Sequence, residues 1–158
     1  MNKKKIKLVL SGMVMYLSGC FVWSTCHISL YEAVCSGDPI TVEDTLLKGG
    51  LVDINTKDEE GMTPLLIAVN NDNVAVGEVL LNHGADINAK DSISQWSALH
   101  FAANNNNIEM AKMLLNYNAD VEAKDAVGMS PFVLAAILGH REVADLLFLK
   151  LLSNRKLF

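Results

Sequence analysis

The side chains able to do chemistry are few and scattered along the chain. Histidines stand at His27, His83, His100 and His140, and cysteines at Cys20, Cys26 and Cys35. A structural zinc site uses such ligands in closely spaced pairs, and no His/Cys set here has that spacing. No glycine-rich phosphate loop and no nucleophile elbow appears either. The expectation is a non-enzymatic protein with no catalytic residues, no cofactor and no metal. Cys26 and Cys35 invite a disulfide. If residues 28–35 are helical, their Cα atoms lie on the order of 13 Å apart at a rise of about 1.5 Å per residue, and a disulfide tolerates less than about 7 Å. This favours Cys35 as a small buried residue and Cys26 as part of a tether. A bridge stays open if the first helix is locally unwound.

The elements that must position any site come from a repeat. Three segments begin with Asp58, Asp91 and Asp125, 33 and then 34 residues apart, with the extra residue within 92–95. A period of this size marks a stacked array. Thr63-Pro64 and Ser130-Pro131 place a hydroxyl N-cap before a proline at the first helical position, and Ser97-Ala98 keeps the cap alone. Short apolar helices follow, with Ala68, Ala102, Ala103, Ala135 and Ala136 small enough for close helix approach. Each stops at a residue that tolerates positive φ: Gly37, Asp72, Asn106 and Gly139. A second helix then carries a leucine pair: Leu46-Leu47, Leu80-Leu81, Leu114-Leu115 or Leu146-Leu147. Its end is marked by Gly50, Gly84 or Asn118. Met110 and Met113 are at helical spacing and are expected in the core. The run Asn104 to Asn107 reads as a polar helix end.

The run Gly-x-Thr-Pro-Leu, the later Gly139-His140-x-Glu142-Val143, and Leu80-Leu81-x-x-Gly84-Ala85-Asp86-Ile87-Asn88 resemble the ankyrin repeat. The resemblance covers residues 28–148. It implies an all-α ankyrin-repeat solenoid of about four helix-turn-helix repeats with short β-hairpin-like connections. The expected divisions are a degenerate capping repeat at 28–57, repeats at 58–90 and 91–124, and a C-terminal repeat at 125–158. In the first, Ile28-Ser29 stands where the family has Thr-Pro. In the last, the family's Gly-Ala-Asp turn is missing, so the final helix is expected to run on; its Phe148, Leu149, Leu151 and Leu152 either fold back or form a contact surface. The resemblance also makes His100 a structural hydrogen-bonding residue, with His140 in a similar role.

The N-terminus reads differently. Lys3, Lys4, Lys5 and Lys7 precede an uncharged stretch, and Leu17-Ser18-Gly19-Cys20 follows. This is the pattern of a secretory signal, and the quartet resembles the lipobox of bacterial lipoproteins. That resemblance implies a signal peptide at 1–19, cleavage before Cys20, lipid attachment to Cys20, and a tether at 20–27. Phe21, where an inner-membrane retention aspartate would stand, points weakly to the outer membrane. The alternative is an uncleaved membrane helix over the same stretch, although residues 8–23 are short of the ~20 that a span needs. Both place the repeats on the periplasmic side, because the lysines stay cytoplasmic.

The chain carries 13 basic and 18 acidic residues, and setting aside the four N-terminal lysines leaves a balance of −9. An acidic body argues against nucleic acid, whose footprint is a basic stripe, and against adsorption to anionic lipid. The expected partner is therefore a protein. The ankyrin resemblance implies docking on the repeat tips and the exposed side of the first helices. Carried over residue by residue, the tip positions are Glu59, Glu60 and Met62, then Ser92, Ile93 and Trp96, then Ala126, Val127 and Met129. The helix positions are Asn70 and Asn71, then Asn104 and Asn105, then Ile137 and Leu138. Trp96 is either an exposed contact residue or a filler folded over its own hairpin. The expected function is a protein-interaction scaffold displayed in the cell envelope. Alternatives are an accessory or inhibitory subunit of an envelope enzyme or toxin, and a host-directed protein of an intracellular bacterium.

Overall fold

A computed structural model describes residues 9–10, 13–14, 29–48 and 53–154. Eight helices lie among them: α1 Leu30–Ser36, α2 Pro39–Lys48, α3 Pro64–Asn70, α4 Val74–Asn82, α5 Ala98–Asn104, α6 Ile108–Asn116, α7 Pro131–Leu138 and α8 Arg141–Asn154. They form four antiparallel pairs. The odd-numbered helices pack in one row and the even-numbered ones in a second. The architecture is an all-α solenoid. Outside the helices, the described residues hold a two-residue antiparallel pairing of Val9–Leu10 with Met13–Val14 and an isolated bridge between Lys90 and Ser97. No described helix is long and apolar enough to cross a membrane. Of the proposed signal at 1–19 only residues 9–10 and 13–14 are described, and Cys20, Cys26, His27 and Gly50 lie outside the described residues.

Local chemistry fixes where each helix begins and ends. Thr63 Oγ1 accepts the Leu66 N–H at 3.3 Å, and Ser130 Oγ accepts the Val133 N–H at 3.4 Å. Pro64 and Pro131 follow them at the first helical position, where no donor is needed. The stops Gly37, Asp72, Asn106 and Gly139 all adopt positive φ, at 75°, 55°, 54° and 77°. Gly84 and Asn118 do the same after the second helices. Two further caps carry the turn onward: Asn73 Oδ1 accepts the Val76 N–H at 3.0 Å, and Asn107 Oδ1 accepts the Met110 N–H at 2.9 Å.

Several local expectations are corrected. The cap of α1 is Ser29, one position later in the repeat than Thr63. Ser97 is the N-cap of α5, as expected, and its Oγ and N–H both meet His100 Nδ1, at 2.9 Å and 3.2 Å. The last leucine pair is out of register by one. Leu147 is fully buried and takes the place of Leu80 and Leu114, so Phe148 fills the second position. In α2, Leu47 is 71% exposed. Cys35 is exposed and free, because Leu30, Ala33 and Val34 form the buried side of α1 and Cys35 falls outside that stripe. Ala136 is exposed, since no described helix covers it.

The core runs unbroken from α1 to α8. Leu65, Leu66, Leu80, Leu99, Met110 and Leu114 are fully buried, and Met113 joins them. Each such side chain contributes about 1.5–3 kcal/mol through burial. The alanines at 33, 68, 102, 103 and 135 are fully buried at the helix contacts. The final helix is 14 residues long, against 9 in α4 and α6. Its Phe148 folds back to within 5.7 Å of the Phe132 ring, and Leu151 packs on the core, while Leu149 is left exposed.

Polar side chains tie each repeat to the next. Asn73 Nδ2 donates to Gly37 O at 2.8 Å, Asn107 Nδ2 to Asp72 Oδ1 at 3.1 Å, and the His140 ring pairs with Ala103 O at 2.8 Å. Asn55 Oδ1 accepts the Asp86 N–H, and Asn88 Oδ1 the Asp120 N–H. Truncation in this shared core is expensive, because the cavity compounds the lost transfer energy. Leu114→Ala should lower stability by about 2–5 kcal/mol in urea denaturation, whereas Leu149→Ala should fall within about 0.5 kcal/mol of the parent.

Candidate functional site

The aspartates that set the period build the tips. Asp58 Oδ1 accepts the N–H groups of Glu60 at 3.0 Å and Met62 at 2.8 Å. Asp125 Oδ1 does the same for Val127 at 3.0 Å and Met129 at 2.7 Å. The loop of Asp91 is one residue longer, and its carboxylate takes three amides: Ile93, Ser94 and Trp96. Each loop then closes backbone to backbone, Asp58 with Met62, Asp91 with Trp96 and Asp125 with Met129. Gly61 and Gly128 turn their loops at positive φ, and Gln95 adopts φ 55° in the same place. Its Nε2 donates to Asp91 O at 3.0 Å. Nothing in the sequence marked Gln95 for this role except its alignment with the two glycines.

The tips are joined in a row. Ser92 N–H donates to Glu60 O at 3.0 Å, and Ala126 N–H to Ser94 O at 2.9 Å. A Cβ on Gly61 would collide with the Ser92 backbone and hydroxyl, so glycine is required at this close approach. Behind the tips, Lys57 Nζ donates to Lys90 O at 2.9 Å and Lys90 Nζ to Lys124 O at 2.6 Å. Two lysines of the row are thus spent on backbone carbonyls one repeat away.

The structure sorts the expected contact residues. Glu59, Glu60, Ser92, Ile93, Ala126 and Val127 are exposed along the tip row, with Ile93 at 71% and Val127 at 76%. Asn70, Asn71, Asn104, Ile137 and Leu138 are exposed on the first helices. Met62, expected at the tip, is 9% exposed and belongs to the core: the Asp58 turn directs it inward while Glu59 and Glu60 face solvent. Met129 is half-buried. Asn105 is half-buried too, and its Nδ2 donates to Asn70 O and Asp72 Oδ1, both at 3.1 Å.

Trp96 stands between the two expectations. It is half-buried, with its ring edge-on to Phe101 at 5.2 Å and stacked 6.5 Å from His100 at 17°. The ring thus packs within its own repeat and keeps part of its surface open to solvent.

His100 is wholly structural. It is fully buried, and its Nδ1 accepts the Ser97 N–H at 3.2 Å. The proton therefore sits on Nε2, which donates to Met129 O at 3.2 Å in the next repeat. Tyr31 spans the first junction similarly, donating to Thr56 O at 2.5 Å and Met62 O at 3.1 Å. Burial, with help from the Asp58 and Asp53 charges, raises the pKa of that hydroxyl. Burial chiefly holds the His100 imidazole below its ordinary pKa, against a smaller opposing pull from the Met129 carbonyl. His83 is exposed, with Nδ1 on Val79 O at 2.9 Å. Among the described residues, no three His, Cys, Asp or Glu side chains are grouped to hold a metal.

The depressed His100 pKa has a sign. The unfolded chain takes up the proton more readily than the fold, so stability is full above about pH 6.5 and falls as pH drops below it. His100→Leu copies Leu66, the equivalent residue one repeat earlier. Urea midpoints at pH 7.5 and 5.5 should differ more in the parent than in that variant; equal differences would exclude His100 as the source.

Comparison with known proteins agrees with this architecture. The family model for ankyrin repeats (three copies) matches residues 11–91, 30–125 and 91–154. The chain is 49% identical over 47 residues to delta-latroinsectotoxin-Lt1a of Latrodectus tredecimguttatus, covering 30% of this chain and 4% of the toxin. It is 36% identical over 93 residues to the transient receptor potential channel pyrexia of Drosophila melanogaster, covering 54% of this chain and 9% of the channel. The chain thus spans only a small part of the length of these relatives. With paired helices, aspartate-turned tips and a family match over most of its length, this chain belongs to the ankyrin-repeat family.

Proposed function

We propose that this chain is a non-enzymatic scaffold that captures a protein partner along the tip row and the exposed side of α3, α5 and α7. The observation that carries this is the row itself. Ile93 and Val127 on the tips, and Ile137 and Leu138 at the end of α7, are exposed and unused by the fold, whereas the turn aspartates and Lys57 and Lys90 are committed to it. Exposed apolar residues gathered on one surface mark contact sites. Trp96, half-buried beside Ile93, is the rigid anchor of that surface, because tryptophan is a favoured interface residue.

The display of this scaffold in a bacterial envelope is part of the same proposal. It is supported by the basic start, the short apolar stretch and the resemblance of Leu17-Ser18-Gly19-Cys20 to a lipobox. A lipidated Cys20 would hold the array at the membrane, since each buried methylene contributes about 0.8 kcal/mol and two or more chains anchor firmly.

A photo-crosslinker placed at Ile93 in the full chain should capture a defined protein in the intact envelope. Trp96→Ala should abolish that capture. The same variant loses the Phe101 contact, so a stability drop on the order of 1 kcal/mol is expected with it. Capture that survives this substitution would remove Trp96 from the contact surface. The anchor is tested separately by mass spectrometry of the purified protein's N-terminus. A diacylated cysteine beginning at Cys20 is the expected species, abolished by Cys20→Ser, and an unmodified N-terminus elsewhere would exclude the lipid.

A further inference from the structure

The surface made by the tip row and the first helices changes character along the array. From Lys57 to the α3 stop at Asp72, the tip and first-helix segment carries Asp58, Glu59, Glu60 and Asp72 against Lys57, a balance of −3. The equivalent segment 90–106 carries Lys90 and Asp91, and segment 124–139 carries Lys124 and Asp125, so both balance to zero. Apolar exposure runs the other way. Among the described residues, segment 57–72 has no exposed large hydrophobic side chain, segment 90–106 has Ile93, and segment 124–139 has Val127, Val133, Ile137 and Leu138. The change is made by substitution at fixed positions. Asn70-Asn71 and Asn104-Asn105 become Ile137-Leu138, and Glu60 becomes Val127.

Resting on the binding function proposed above, we infer that the partner segment is bipartite, with basic residues over the Glu59–Glu60 tip and an apolar stretch over Val127, Ile137 and Leu138. Charge complementarity selects the first half. Glu59 and Glu60 are exposed and make no ion pair among the described residues, unlike Asp44, which pairs with Lys48. The nearest lysines of the row, Lys57 and Lys90, are held on carbonyl oxygens of the following repeat. An incoming cation therefore meets two uncompensated carboxylates. Apolar contact selects the second half, where a charged residue would lose water without gaining a counter-charge. The half-buried Trp96 and exposed Ile93 lie between the two halves, so the segment runs across them in one direction. A wholly acidic segment would be repelled at one end, and a wholly basic one would leave the apolar end uncovered.

The test uses the full chain in a mild detergent and three labelled synthetic peptides. One carries four lysines followed by a leucine-rich half; the second has glutamates in place of the lysines; the third bears a photo-crosslinker at the apolar end of the first. Fluorescence anisotropy should show the basic–apolar peptide binding at least about tenfold tighter than the acidic–apolar one, with the preference shrinking as salt rises. Glu59→Gln with Glu60→Gln should erase the preference. Ile137→Asn with Leu138→Asn, which copies the preceding repeats, should weaken both peptides and leave the preference intact. The crosslink should fall within 124–139. Equal binding of the two peptides, no binding of the basic–apolar one, or a crosslink within 57–72 would overturn the inference. An envelope protein captured at Ile93 through an acidic or uniformly apolar segment would overturn it while leaving the scaffold function standing; failure of that capture would strike the scaffold function itself.

Discussion

Burial shared between neighbouring repeats is the constraint on which this structure depends. A hairpin of two short helices cannot enclose its own apolar side chains, so each must hide them against the next pair. Leu66 and His100 stand at the same position in successive repeats, and both are fully buried. Val133, the next in that series, is 37% exposed. The difference lies in what covers each position, because the helices themselves are alike. The same dependence explains the hydrogen bonds that cross the junctions. Asn73, Asn107 and His140 occupy one repeat position, and each reaches back to the preceding stop or helix end. They satisfy groups that stacking would otherwise strand without water.

This economy of polar groups shapes the functional surface. Asp58, Asp91 and Asp125 recur once per repeat, and each carboxylate is filled by amides of its own loop. His100, the most chemically versatile buried group, has both nitrogens committed to Ser97 and Met129. Lys57 and Lys90 are tied to carbonyls. Side chains that the fold does not use include Glu59, Glu60, Ile93, Val127, Ile137 and Leu138. The proposed contact surface is thus the complement of the scaffold. It accounts for how one backbone pattern supports a surface that is acidic at one end and apolar at the other.

Much of this was legible in one dimension. The aspartate period, the hydroxyl caps, the positive-φ stops and the buried Met110 and Met113 all follow from local rules, because a cap or a stop is decided within about four residues of itself. The acidic balance was legible from composition alone. Exposure was harder to read. Met62 and Glu60 are two positions apart on one tip, and only the inward turn held by Asp58 puts one in the core and the other in solvent. Cys35 was expected inside and lies outside, because one step along α1 separates it from buried Val34.

The sequence by itself determined the repeat, the helix boundaries and the chemistry available at each tip, since these depend on neighbours along the chain. Only the tertiary structure decided which tip residues face solvent, that Trp96 is shared between its own repeat and the surface, that Gln95 takes a glycine's conformation, and that Leu147 rather than Leu146 is fully buried. Burial turns on what stacks against a side chain, often a residue about one repeat period away, whereas Trp96 and Gln95 are fixed by three-dimensional contacts within their own repeat, with Phe101 and with Asp91 O.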